Sequence, residues 1–318
     1  MSANSPLLYL DDNARVVLHG LTSQPKALPP MLFYDAAGSA LFEQITELPE
    51  YYLTKTEQAI FEQHADDMVQ SASAASAIIE LGAGTAKKTM LVLRASLRRH
   101  RAVTFIPVDV SGFALEAARH RVRSELPQVA VHPLVLDFTR DSSMFATVPG
   151  RKLVLFIGSS IGNFEPMAAG ALLRRLRSSL APGDALLLGT DMRKPEDILL
   201  RAYNDSAGVT AQFNLNLLTR LNREFEADFD LNRFAHRAIW NERDSRIEMH
   251  LESLARQTVS IGALDLKIPF DRGESIHTEN SYKFTPQMIE SLAANSGFQI
   301  ERRWSDPRAW FTVTLLRA

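Results

Sequence analysis

The residues best suited to chemistry cluster in one stretch, Ala77-Ile-Ile-Glu80-Leu-Gly82-Ala-Gly84-Thr85-Ala-Lys87-Lys88-Thr89. A short apolar run ends in an acid, passes through two glycines one residue apart, and enters a segment of helical character. That order predicts a strand turning tightly into a helix, with backbone left bare where a cofactor can approach. A dinucleotide site would need Gly-x-Gly-x-x-Gly, whose third glycine lets the helix close on the strand. A phosphate-binding loop would need Gly-x-x-x-x-Gly-Lys-Thr, and Gly82, Lys88 and Thr89 match three of its positions. In both patterns Lys87 stands where a glycine is required, and an anion cradle depends on that backbone freedom.

A third reading fits better. S-adenosylmethionine needs an acid at the end of the first strand, a Gly-x-Gly turn with room for the methionine portion, and a second acid to accept from both ribose hydroxyls. Glu80, Gly82, Gly84 and Asp109 supply this set. Asp137 and Phe138 follow at the next strand end, an acid for the adenine amino group with an aromatic beside it. Strand-end acids are common and often only cap the next helix. Three at successive strand ends, on the carboxyl edge where α/β sheets bind ligands, favour a methyl donor.

The elements that position these residues alternate. Ile78-Ile79 reads as a strand and Thr85 to His100 as its helix; Val103 to Asp109 is the next strand, with Ser111 to Ser124 its helix. Val129 to Asp137 and Lys152 to Ile157 are further strands, then a helix from Met167 to Leu180 and a strand from Ala185 to Gly189. Ahead of them, Thr54-Lys-Thr-Glu57 has capping-box spacing and is expected to open a helix carrying Ile60, Phe61, Ala65 and Met68. Short apolar runs alternating with helices indicate a mostly parallel sheet covered on both faces.

After Pro195 the rhythm breaks: a helical stretch from Ile198 to Asn222 is followed by alternating runs at 247–254 and 257–261. A helix from Thr285 to Ser296 and strand-like runs at 298–304 and 310–316 close the chain, as an antiparallel pair would. The expected fold is α/β. A Rossmann-like core with a seven-stranded, mostly parallel sheet spans 57–195 and 284–318. A second, α+β domain is formed by the N-terminal tract 1–56 and the insert 196–283, and is expected to bind the substrate.

Composition excludes several classes. The 318 residues carry a net charge of −2 and no cysteine, which rules out disulfides, thiolate metal sites and cysteine nucleophiles. Near-neutral charge fits a small substrate rather than nucleic acid. The N-terminus lacks a basic segment followed by an apolar one, and the longest apolar runs are strand-sized, so neither a signal peptide nor a membrane span is expected. A cytoplasmic monomer is the default. The eight histidines show no metal-ligand spacing; His64, His100, His120 and His236 read as helical surface positions, and no metal is expected.

Several tracts together resemble the histidine-specific methyltransferase family of ergothioneine biosynthesis, whose members convert histidine to N-α-trimethylhistidine (hercynine). They are Phe33-Tyr34-Asp35 with Gly38-Ser39 and Leu41-Phe42-Glu43; Leu48-Pro49-Glu50-Tyr51-Tyr52; Glu80 to Thr85; Gly158-Ser-Ser-Ile-Gly162-Asn163-Phe164; and Thr278-Glu279-Asn280-Ser281-Tyr282-Lys283-Phe284. The resemblance implies a methyltransferase core plus a second domain, with S-adenosylmethionine at Gly82, Lys88, Asp109, Asp137 and Phe138. It implies a free L-histidine substrate with its carboxylate on Asn163 and Tyr203, its imidazole on Glu279 and Ser281, walls from Tyr34 and Tyr51, and Met249 packed on the ring. Tyr34 is also the expected catalytic residue, with the amine's proton passing to solvent through it or through an ordered water. Fungal relatives methylate tryptophan derivatives, so another aromatic amino acid is the alternative substrate. A non-catalytic donor-binding protein is the alternative of a different class.

Overall fold

The computed structural model describes residues 12–73 and 75–318. The expectation of no signal peptide at the N-terminus lies outside the described residues. The chain forms two compact units: one comprises the chain up to Tyr51 with Pro195–Ser281, the other Tyr52–Lys194 with Tyr282–Ala318.

In the first unit's N-terminal part, α1 (Asp12–Thr22) leads to the two-residue β1 (Lys26–Ala27) and then α2 (Ala36–Glu47). Asp35 caps α2, accepting from the Gly38 N–H at 2.7 Å, and its carboxylate also receives Asn216 Nδ2 at 2.9 Å. The Phe-Tyr-Asp tract is therefore a helix start as well as a candidate site.

The second unit begins with α3 (Tyr52–Ser71), followed by β2 (Ala77–Leu81), α4 (Thr89–Leu97), β3 (Val103–Asp109), α5 (Gly112–Glu125), β4 (Val129–Val131) and β5 (Leu134–Val135). It continues through β6 (Lys152–Phe156), α6 (Pro166–Ser178) and β7 (Ala185–Asp191). The insert, belonging to the first unit, holds α7 (Glu196–Tyr203), α8 (Val209–Phe225), β8 (Phe234–Asn241), β9 (Arg246–Ser253), β10 (Gln257–Ile261), β11 (Leu266–Phe270) and most of β12 (Ser275–Tyr282). The second unit then closes with α9 (Pro286–Asn295), β13 (Gln299–Ser305) and β14 (Phe311–Arg317).

The second unit's sheet runs β13-β14-β7-β6-β2-β3-β4, with β5 also pairing β3. Strands β7, β6, β2, β3 and β4 are parallel. The last two are the antiparallel pair, β14 on β7 and β13 on β14. Every residue of β2, β6 and β7 is buried, as continuous apolar runs require when helices cover both faces. One face packs Ile60, Phe61, Met90, Leu93, Ala118 and Val122 from α3, α4 and α5; the other packs Leu172, Leu173, Leu176, Ile289 and Ala293 from α6 and α9. The chain leaves β2 toward β3 and returns to β6 on its other side, so the switch point of this α/β sheet lies at the carboxyl ends of β2 and β6.

The first unit has its own sheet, β1-β12-β9-β8, and a β10-β11 ribbon. Strands β8 and β9 pair antiparallel from Phe234↔Ser253 to Asn241↔Arg246.

Local readings change in several places. Helix α3 starts at Tyr52, so Thr54 lies in its first turn rather than at a cap. The helix expected from Thr85 begins at Thr89, because Ala86 takes φ +55° and prolongs the turn. The strand expected over 129–137 breaks between β4 and β5 at His132-Pro133, where proline has no N–H to donate. The helix expected over 198–222 divides between α7 and α8, since Asp205 turns back to accept from the Val209 and Thr210 N–H groups at 2.9 and 2.7 Å. His236 is on strand β8 and His100 lies past the end of α4 at Leu97, so neither is helical.

Candidate functional site

The glycine turn follows β2. Gly82 and Gly84 have φ of +68° and +48°, and a Cβ at either would meet nothing within 4 Å. The turn therefore needs glycine for its conformation and presents open backbone outward. Its inner side is tied to β3: Gly82 and Ala83 donate their N–H groups to the Val108 carbonyl at 2.8 and 3.1 Å. Asp109, ending β3, accepts from the Gly84 N–H at 3.1 Å through Oδ2 and from the Ser111 N–H at 2.9 Å through Oδ1. An ionised carboxylate has about four acceptor positions, so these two bonds leave capacity for a vicinal diol.

Glu80 lies beneath the turn, 3% exposed, and its Oε2 is buried with no hydrogen-bond partner. Burial pushes its carboxyl up to about 8, against the Thr89 hydroxyl and the pull of the Lys88 ammonium. An acid whose folded-state pKa lies above its unfolded value stabilises the fold fully only below the unfolded value, near 4.5, and that contribution is lost as pH rises through about 8. The thermal midpoint of the ligand-free protein is accordingly expected to fall between pH 5 and 8.5. Glu80→Gln, which mimics the protonated acid, should flatten that fall, and parallel curves for the two proteins would remove Glu80 as its source.

Lys88 does not stand free as a phosphate-binding lysine would. It is ion-paired with Glu57 of α3, a fully buried carboxylate that also accepts from the Gly158 N–H at 2.8 and 3.1 Å. The pairing offsets the Lys88 charge, in keeping with a site for a sulfonium. In the sequence Glu57 reads only as the acid of a capping box, although an acid on the apolar face beside Ile60 and Phe61 is a legible signal of a buried charge needing a partner.

The remaining candidates of this unit lie on the same carboxyl edge. Asp137, beyond β5, binds the Thr139 N–H at 3.0 Å, the Thr139 hydroxyl at 2.5 Å and Arg140 at 3.2 Å. Phe138 stands edge-on to Phe156, ring centroids 5.6 Å apart. Asn163 ends a 3-10 turn over Ser160–Asn163 after β6. A Cβ on Gly162 would come within 2.9 Å of the Tyr282 carbonyl oxygen, and the Tyr282 hydroxyl donates to Glu165 at 2.6 Å. The Gly-x-x-x-Gly-Asn turn is thus packed on Tyr282, which opens the last segment of the same unit.

A buried ionic cluster stands at the end of β7 that sequence reasoning did not anticipate. Asp191, 0% exposed, accepts from Tyr52 at 2.7 Å and from Lys283 at 2.9 Å, and pairs with Lys194. Burial lowers the Lys194 ammonium to about 8, with the Asp191 carboxylate resisting. Lys283 of the last family tract is therefore a buried counter-ion, not a surface charge.

In the first unit the aromatic candidates form a chain of ring contacts. Tyr34 meets Phe42 at 5.8 Å, Phe42 meets Tyr51 at 6.4 Å, and Tyr51 meets Tyr203 at 6.3 Å, all edge-on. The Tyr203 hydroxyl lies 2.7 Å from Ser281 Oγ. Glu279 and Ser281 sit two apart on β12, hence on one face of the strand, and both are buried. Met249 on β9 is 2% exposed, a core position. Asn280, between the two, bonds His277 Nε2 at 2.9 Å, which accounts for a polar side chain there. Among the described residues no cluster of three or more His, Asp or Glu is arranged to hold a metal, and no helix is long and apolar enough to cross a membrane.

A turn of open glycine backbone, a buried acid with one unpartnered oxygen, an aspartate with acceptor capacity to spare and an ion-paired lysine suit S-adenosylmethionine, and the strand order with its antiparallel end is that of a methyltransferase core. The protein is an S-adenosylmethionine-dependent methyltransferase. More narrowly, it belongs to the family described as histidine-specific, SAM-dependent methyltransferases, which matches residues 13–318. It is 44% identical over 301 residues to the histidine N-alpha-methyltransferase of Mycolicibacterium smegmatis, covering 95% of this chain and 93% of that protein. The enzyme of the same name from Mycobacterium tuberculosis is also 44% identical, over 303 residues, covering 95% of this chain and 93% of that protein. Ergothioneine biosynthesis protein 1 of Neurospora crassa is 31% identical over 88% of this chain, which spans 32% of that longer protein.

Proposed function

We propose that the protein methylates the α-amino group of free L-histidine, up to the N-α-trimethyl product, acting as a cytoplasmic monomer. The observation that carries this reading is the identity to two histidine N-alpha-methyltransferases over 95% of the chain. The α+β unit is assigned to substrate recognition and the sheet unit to the donor.

When bound, S-adenosylmethionine supplies a methyl group on a positively charged sulfur. Asp109 would hold the ribose hydroxyls, Asp137 and Phe138 the adenine, and the Gly82–Gly84 turn the methionine portion, with Glu80 and Lys88 flanking that turn in the chain. Asn163 and Tyr203 anchor the substrate carboxylate with neutral donors, so no further cation is placed where a sulfonium must sit. Glu279 accepts the imidazole N–H and Ser281 serves the other ring nitrogen. Tyr34 and Tyr51 wall the amine side, and Met249 packs behind the ring. Tyr34 would take the proton that the substrate amine sheds in exchange for the methyl group and pass it to solvent. Orienting the substrate in this way contributes up to roughly 7–11 kcal/mol to methyl transfer.

Incubating the enzyme with the donor and a panel of free amino acids, read by mass spectrometry, tests the reading. Histidine is expected to gain one, two and three methyl masses. Turnover of another aromatic amino acid with histidine untouched would overturn the substrate, and donor binding with no turnover at all would overturn the enzyme.

A further inference from the structure

We infer that His236, through Asn214 and Thr278, is a positioning residue that sets Tyr203 and strand β12 for amino-acid recognition; this role rests on the substrate assignments just proposed. Tyr203 is the last residue of α7, and the last carbonyls of a helix have no partner within it. The Tyr203 carbonyl is met instead by His236 Nε2 at 2.8 Å, reaching from β8. The other ring nitrogen, Nδ1, lies 2.9 Å from Asn214 Nδ2 on α8.

The chemistry of the partners fixes the proton. A carbonyl oxygen only accepts, so Nε2 carries the hydrogen. The Asn214 amide is oriented independently of the histidine: its Nδ2 also donates to the His250 carbonyl at 3.0 Å, and its Oδ1 accepts from the Thr278 hydroxyl at 2.8 Å. Facing a donor, Nδ1 must accept, and the ring is the neutral Nε2–H tautomer. Burial lowers the His236 pKa in the same sense, helped by His250 on β9 and opposed by the Tyr203 carbonyl and Asp205. Asn214, 0% exposed, thus uses both amide hydrogens and its oxygen.

The relay ends where recognition is assigned. Thr278 immediately precedes Glu279, and its hydroxyl is also 3.0 Å from the Met249 carbonyl. Tyr203 is held at both ends, by His236 at its backbone and by Ser281 at its hydroxyl. One closed set of bonds therefore couples α7, β8, α8, β9 and β12, and four of the assigned substrate residues, Tyr203, Met249, Glu279 and Ser281, lie on it or next to it.

The test compares His236→Phe, which keeps ring volume but neither nitrogen, with His236→Gln, whose amide can donate to the carbonyl and accept from Asn214. With the amino acid that the wild type methylates, His236→Phe should raise KM at least tenfold while donor affinity stays within twofold, and His236→Gln should recover most of the loss. Combined with Tyr203→Phe, the effect of His236→Phe should be less than multiplicative, since both act on one anchor. An unchanged KM, equal losses for donor and amino acid, or a glutamine variant no better than phenylalanine would overturn the role. NMR of the wild type with labelled histidine gives a check independent of variant folding: the Nε2–H tautomer is expected at pH 7, and the Nδ1–H tautomer overturns the relay. A wild type that methylates no free amino acid would instead remove the functional reading, and this role with it.

Discussion

Asp109→Ala is expected to weaken S-adenosylmethionine binding by about a hundredfold while leaving intrinsic recognition of the amino acid little changed. Hydrogen bonds to charged groups contribute about 1.5–3 kcal/mol each, and the carboxylate is assigned two ribose hydroxyls. The same side chain also tethers the Gly84 and Ser111 N–H groups, so alanine frees a turn whose glycines already occupy left-handed conformations. About 3 kcal/mol for the combined loss corresponds to about two orders of magnitude in affinity. Asp109→Asn retains one acceptor oxygen but turns a donor toward one of the backbone N–H groups, and should fall between wild type and alanine. Calorimetric titration with the donor measures both, and an alanine variant that binds as tightly as wild type would refute the ribose role.

How much of this was readable from sequence depends on how local each signal is. The β-α-β rhythm was legible because β2, β6 and β7 are buried on both faces and must therefore be short, unbroken apolar runs. The glycine turn was legible because Gly82, Gly84 and the two acids are fixed by strand ends a few residues away. Glu57 with Lys88 and Gly158, and Asp191 with Tyr52 and Lys283, were not, because their meaning lies in partners brought together only by the sheet. His236 was misread for a different reason: β8 is an edge strand of its sheet whose burial alternates only between half-buried and exposed, so its polar and apolar residue types do not alternate with it. The break between α7 and α8 was in principle visible, since Asn204-Asp205-Ser206-Ala207-Gly208 is turn chemistry, but the apolar spacing on either side ran through it. Strand pairing and buried charge are long-range properties, and single-sequence patterns report them only where composition is extreme.

Glu279→Ala should produce the complementary phenotype, a rise in the histidine KM of two orders of magnitude or more with donor affinity preserved. The residue is 8% exposed on β12, on the same strand face as Ser281, and a buried acceptor assigned to an imidazole N–H discriminates by what happens when that N–H is missing. Sites built to hydrogen-bond a substrate group reject analogues lacking it by about 10⁴-fold or more, because the protein group is left buried and unpaired. Alanine removes that penalty along with the attraction, so selectivity between histidine and aromatic amino acids without the ring N–H should narrow as the histidine KM rises. Glu279→Gln keeps an acceptor but no charge, and a neutral hydrogen bond is worth about half a charge-assisted one, so glutamine should retain more of the selectivity than alanine. Steady-state kinetics with histidine and phenylalanine, alongside donor titration, separates the possibilities. Equal losses for donor and amino acid would place Glu279 outside the recognition site, and an unaltered preference for histidine would mean that the ring is read elsewhere.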